Sequence, residues 1–193
     1  MPNPVVKRGL VPAGTVTGGP VSGSLRYYSI PASNVTPTFI GDLVTMLTTS
    51  SIVNGVIMQD VIQSATGDIF QGVIVGFVPD TSTSLPYRAA SALRVAMVCD
   101  NPDTIFEAND ISTGTPFTNA DVGLNCNIVV GTGSTVTGYS SMELDNNTEA
   151  TTNTLDLKIL GFVNRADNDP TSASGKYLVR INRHRFANQV AGV

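Results

Sequence analysis

The chain has 193 residues, of which 41% are hydrophobic and only 13% charged, and its net charge is −4. Globular domains average ~25% charged residues, so Ser, Thr, Asn and backbone must cover much of this surface, and its negative balance argues against a nucleic-acid partner. No run approaches the ~18 apolar residues of a membrane span, and MPNPVVKRGLVPAG lacks the apolar core of a signal peptide. Few charges also weaken colloidal repulsion, so a free monomer is expected to associate.

Residues 1–24 read as an extended arm. Pro2, Pro4, Pro12 and Pro20 alternate with Gly9, Gly14, Gly18, Gly19 and Gly23, and such a stretch does not offset its own ordering entropy. A loose tail is one reading. Val5, Val6, Leu10 and Val11, however, are apolar positions that a solvated linker does not need. The arm is therefore expected to order against a neighbouring subunit, with Lys7 and Arg8 anchoring it to an acidic surface.

From Leu25 the signals are those of strands. Leu25 to Ile30 and Phe39 to Leu47 are short candidates, the second bent at Gly41-Asp42. Ile52 to Met58 and Gly72 to Val78 are apolar runs of strand length, expected to be buried on both faces. Gly72 and Gly76 mark bulges or close backbone approach. Asp80 to Leu85 is a polar loop closed by Pro86. Residues 91–109 read as a hairpin, with Leu93, Val95, Met97 and Cys99 alternating on one strand. Asn101-Pro102-Asp103-Thr104 supplies its turn, and Thr104 to Ala108 returns as the second strand.

Thr118 to Leu124 is the one place for a helical turn, capped by Thr118 or Asn119 and stopped by Gly123. Asn127 to Val130 and Val136 to Leu144 flank a Gly-rich loop as a further hairpin. Leu155 to Val163 and Lys176 to Asn182 alternate as half-buried strands around a polar loop, 165–175. Many short strands at this spacing imply an all-β fold, a sandwich or small barrel with very little helix. Jelly-roll and SH3-like arrangements both stay open. The domain plan is an arm over 1–24, a β-rich body over 25–186 and a short tail over 187–193.

Reactive constellations are scarce. His184, the single histidine, lies between Arg183 and Arg185 at the end of a strand, and no G-x-S-x-G elbow occurs. Cys99 and Cys126 make no disulfide framework and are expected as packed free thiols; a bridge stays open for an exported chain. Zinc wants four Cys or His ligands, more than the chain supplies. Asp167-Asn168-Asp169 reads as a turn rather than a calcium loop, because the EF-hand register is absent. Gly131-Thr-Gly-Ser-Thr lacks the Lys and the following helix of a phosphate loop. No cofactor and no reaction are expected. Lys158, Arg165, Lys176, Arg180, Arg183 and Arg185 crowd the C-terminal part. They form either a solvated face or, at Arg183-His184-Arg185, a site for an acidic partner.

VCDNPDTIFEAN, DVGLNCNIVVGTGSTVTGYSSMELD and LDLKILGFVNRADNDP with KYLVRINRHRF resemble segments of head decoration, or cement, proteins of tailed bacteriophages. The likeness spans about Leu25 to Phe186. It implies a β-rich protein, without catalytic residues, that coats the assembled shell on the virion surface after assembly in the host cytoplasm. It also implies the major capsid protein as partner and a homotrimer as the bound form. Val5, Val6, Lys7, Arg8, Leu10, Val11, Arg183, His184 and Arg185 are the candidate partner-binding residues. The alternatives are a tail or fibre-base component and a β-rich hydrolase of cell wall or polysaccharide, the latter disfavoured by one histidine and no tryptophan.

Overall fold

Short β-branched and aromatic runs, each bounded by Gly, Pro, Asn or Asp, favour extended backbone almost throughout. The computed structural model describes residues 3–21, 25–169, 172–189 and 191–193. Among the described residues there are twelve strands: β1 (Val11–Thr15), β2 (Leu25–Ile30), β3 (Leu43–Val53), β4 (Val56–Gln63), β5 (Gly72–Phe77) and β6 (Arg94–Cys99) come first. They are followed by β7 (Thr104–Asn109), β8 (Asn125–Cys126), β9 (Ile128–Val129), β10 (Glu143–Leu144), β11 (Leu157–Phe162) and β12 (Lys176–Ile181). The fold is all-β. The expected helical turn is a 3-10 turn at Asn119–Asp121, and Thr118 caps it reciprocally with Asp121.

Strands β2, β4, β3, β5 and β6 close into a small barrel, and β1, β7, β12, β11 and β8 form a separate sheet. All its ladders are antiparallel. Tyr28, Ile30, Val44, Val61, Ile74 and Val98 fill the barrel. A larger core lies between barrel and sheet, where Leu43, Phe70 and Val73 meet Phe106, Leu157, Tyr177 and Val179. Cys99 and Cys126 are both buried there as free thiols. β9 and β10 form a two-stranded ladder of their own, so the hairpin expected around the Gly131 loop is reduced to two residues a side.

The hairpin expected over residues 91–109 is not formed. Its turn is correct in chemistry, since Thr104 N–H donates to Asn101 O at 3.1 Å and Asp103 N–H to Asn101 Oδ1 at 2.9 Å. Its strands, however, belong to different layers. β6 has both edges taken, by β2 and by β5, so no edge remains for β7, which pairs with β1 and β12 instead. The turn is the corner by which the chain leaves the barrel for the sheet.

Ile52 to Met58 is a second correction. Asn54 and Gly55 take positive φ of 50° and 80°, the conformation of a two-residue I′ turn, so the run is the tip of a hairpin and not one buried strand. Gly72–Phe77 does behave as expected. β5 is buried along its length except at Val75. A Cβ on Gly72 would lie 2.3 Å from the Cys99 carbonyl oxygen, and the ladder to β6 is bulged between Ile74 and Gly76.

Three carboxylates are fully buried at the seams between loops. Asp42 accepts from Phe39 N–H at 2.8 Å and from the Gln63 amide at 3.0 Å, and Asp156 from Gly67 N–H at 3.0 Å and Ile128 N–H at 3.1 Å. Asp110 accepts from the Asn146 amide at 3.1 Å. Burial pushes each of the three up to about 6. Against an unfolded value of ~3.9, the folded state then holds extra protons, so this stability is present at low pH and lost as pH rises from about 4 through 6. His184 acts oppositely. Burial lowers it to about 4, so its contribution is present above ~6.5 and lost on acidification. Three against one, the chain is expected to be more stable at pH 5 than at pH 7, by about 1–2 kcal/mol. Urea unfolding across pH 4–8 measures this; a monotonic loss of stability below pH 7 refutes it.

Candidate partner-binding surface

The leader is extended, as its composition suggests, but it packs on its own chain. β1 runs antiparallel to β7, with Val11 opposite Glu107 and Thr15 opposite Thr104, and bulges between Pro12 and Gly14. Pro12 is tolerated because β1 is an edge strand. Leu10 is 1% exposed and joins the larger core. At Gly9 the leader crosses the chain at Gly41 so closely that a Cβ on Gly41 would lie 2.1 Å from the Arg8 carbonyl oxygen. Both glycines have positive φ, 65° and 95°, so side chains are excluded there by space and by backbone conformation.

Polar anchors complete the attachment. The Asn3 amide donates to the carbonyls of Asp169, Ser172 and Ala173 at 2.9–3.2 Å, and Asp169 N–H donates back to Asn3 Oδ1 at 2.6 Å. Lys7 Nζ meets Glu143 Oε2 at 2.6 Å, so the acidic surface expected for Lys7 lies on the same chain. The Arg8 guanidinium sits 6.0 Å from the centre of the Tyr139 ring. Alongside Lys7 and Arg8 the leader turns valines outward: Val5 is 60% exposed and Val16 54%, with Val6 and Val11 near 40%.

Val6 and Val11 border a cavity of about 210 Å³, lined also by Arg8, Glu107, Arg165 and Lys176 among others. Most of its charged wall is ion-paired within itself, with Arg8 lying over the Tyr139 ring instead. Arg165 grips Glu107 with two parallel bonds of 2.7 and 2.8 Å and also reaches Asp167, and Asp167 pairs with Lys176. Lys176 and then Arg165 hold the Asp167 carboxyl below its ordinary value. The edge of the sheet therefore offers exposed valines beside a largely ion-paired rim, a pattern suited to docking against protein.

The C-terminal candidates are placed differently. His184 is 3% exposed and its Nδ1 accepts from Phe186 N–H at 3.0 Å, which removes it from any surface. Arg183 is half-buried and donates to the Thr154 carbonyl at 2.7 Å. Arg185 has an exposed side chain, and among the described residues none partners it. The neighbouring cations are engaged as well: Lys158 holds the carbonyls of Gly123 and Ala191, and Arg180 holds Pro102 O and Asp103. The tail is tied down by Gly192 N–H to Thr151 O and Val193 N–H to Gly123 O.

Among the described residues, no group of three or more His, Cys, Asp or Glu is arranged to hold a metal ion, and no helix is long and apolar enough to cross a membrane. The sequence reading missed Glu107 and Arg165 as neighbours of the leader, because contacts as remote in sequence as Val11 with Glu107 leave no local pattern. Comparison with family models, with curated proteins and with solved structures found no match.

Proposed function

We propose that this chain is a structural virion protein that binds the outside of a phage capsid shell and cements neighbouring major capsid subunits against internal DNA pressure, with copies clustered as homotrimers. The observation that supports this reading most is the leader, fixed to the body by Asn3, Lys7 and Leu10 while Val5, Val6, Val11 and Val16 face outward. Because the leader is already ordered, docking does not carry the ordering cost that a disordered arm would meet. Linking three copies makes the later contacts intramolecular, and avidity gains of ~10²–10⁴ follow where geometry permits. The resemblance to decoration proteins supplies the identity of the shell.

The test uses purified heads of the parent phage. A Val5→Lys/Val11→Lys chain is expected to bind them at least ~10-fold more weakly, since each exposed valine contributes on the order of 1 kcal/mol when covered, while its melting temperature stays that of the wild type. Co-sedimentation with heads reads the affinity, and counting copies per particle reads the role. Hundreds of copies fit a cement protein; a handful of copies, or tight binding by the lysine variant, sinks the proposal.

A further inference from the structure

The β3–β4 hairpin extends beyond the barrel as a two-stranded ribbon. β5 pairs with β3 only at Leu43 and Val44, and β2 bridges β4 only at Asp60. Beyond those points the two strands have no other ladder partner among the described residues, and are in register from Ser50 opposite Gln59 to Val53 opposite Val56. The tip is apolar on both faces. Ile52 (71% exposed) and Ile57 (73%) share one face, and Val53 and Val56 share the other. From Leu43 to Gln59 there is no charged residue and no proline.

The two edges differ. The outer edge of β4 is partly covered, since Ser29 Oγ donates to the carbonyls of Met58 and Gln59 at 3.2 and 3.3 Å. The outer edge of β3 from Ser50 to Val53 has no ladder and no hydrogen bond beyond that to β4 among the described residues. It begins where the bulge between Met46 and Ser50 ends, and the bulge is held shut by the Gln59 amide on the carbonyls of Leu47 and Thr49. Soluble proteins ordinarily blunt such an edge with Lys, Pro, a bulge or a covering loop. Here the bulge limits the open edge to four residues and nothing blunts those four.

We infer that the Ser50–Val53 edge pairs antiparallel with the same edge of a second copy, about a two-fold axis at Ser51. The ribbons then form one four-stranded sheet, β4-β3-β3′-β4′, with Ile52 and Ile57 of both copies on one face. Charge argues for a second copy as the occupant. Each copy carries −4 and repels its like, and at this uncharged ribbon, apolar at its tip and open along one edge, two identical surfaces can meet without bringing like charges together. An antiparallel edge is also self-complementary, as a two-fold contact requires. The contact is small: four edge residues a side, against the ~20–30 of a standard interface. It is therefore weak between free molecules and strengthened wherever copies are held close together. It is a two-fold contact, separate from the three-fold clustering proposed above, and it stands whether or not the shell is the partner.

Sedimentation velocity of the full chain over a wide concentration range tests it. The wild type is expected to show concentration-dependent dimerisation, weakened at least 10-fold by Ile52→Lys, whose side chain is exposed and touches no core. Ser51 and Ser51′ form a non-hydrogen-bonded pair in this ladder, with Cα atoms close enough for a disulfide. Ser51→Cys is accordingly expected to form covalent dimers under mild oxidation, whereas Val136→Cys, 88% exposed elsewhere, does not. A wild type that stays monomeric at every concentration, or dimers that persist in Ile52→Lys, overturns the inference. So does failure of Ser51→Cys to cross-link while dimers form. If Ile52→Lys loses binding to heads while the wild type is monomeric, the ribbon's occupant is the shell protein and the second-copy assignment is wrong, although the shell-binding role survives.

Discussion

An Arg88→Ala chain is expected to lose on the order of 4 kcal/mol of folding stability. The guanidinium is fully buried and has no carboxylate partner among the described residues. Its Nε donates to Ala92 O at 2.7 Å, one terminal nitrogen to Thr36 O at 2.8 Å, and the other to Pro31 O and Asn34 O at 2.7 and 2.8 Å. Burial lowers its pKa, yet the four carbonyl dipoles compensate much of the desolvation. In return the side chain pins two loops, 31–38 and 86–93, that lack regular ladders of their own. The alanine chain leaves four carbonyls facing a void. Arg88→Lys is expected to recover less than half of the loss, because one ammonium cannot reach four carbonyls set in the plane of a guanidinium fork. Urea unfolding of the three chains decides it, and a loss below ~1 kcal/mol in the alanine variant rules the clamp out.

Removal of residues 1–15 is expected to have an effect as large or larger. The deletion takes away β1, exposes the edge of β7 and empties the site of Leu10. The Leu10→Ala change alone is expected to cost ~2–5 kcal/mol, the range for truncating a buried leucine. Because whole domains are stable by only ~5–15 kcal/mol, the shortened chain is expected to melt far lower or to aggregate through the bared edge. If it instead folds with an unchanged thermal midpoint, the leader is a strap on the surface and not part of the core. The Val5→Lys/Val11→Lys chain separates the two roles of this segment, since it alters the outward face and leaves Leu10 in place.

Leader and clamp also mark where sequence reading stops. Alternation with a period of two places β11 and β12, and short apolar and aromatic runs place β2 and β5, close to their observed bounds, because those patterns are carried by each strand's own residues. The 3-10 turn and its Thr118 cap, the Asn101 turn and the glycine contacts at Gly72 and Gly76 are equally local. The hairpin tip was legible too. Asn54-Gly55 between apolar pairs is a strong turn signal, and the run around it reads as a single strand only when apolarity is weighed above it.

What the chain alone determined, then, is everything governed by neighbours a few positions apart: all-β character, most strand positions, turn chemistry and the want of charge. Only the tertiary structure decided which edges meet. β6 and β7 are adjacent in sequence and sit in different layers because β2 and β5 occupy both edges of β6. The leader lies on its own body because Leu10 and Gly9 find a core site and a gap beside Gly41. His184 and Arg88 show the same limit: the first, a candidate partner-binding residue by its place between two arginines, is buried, and the second, with no local signal, holds two loops. Hydrogen-bonding edges and buried volumes are allotted over the whole molecule at once, and no window of sequence contains that competition.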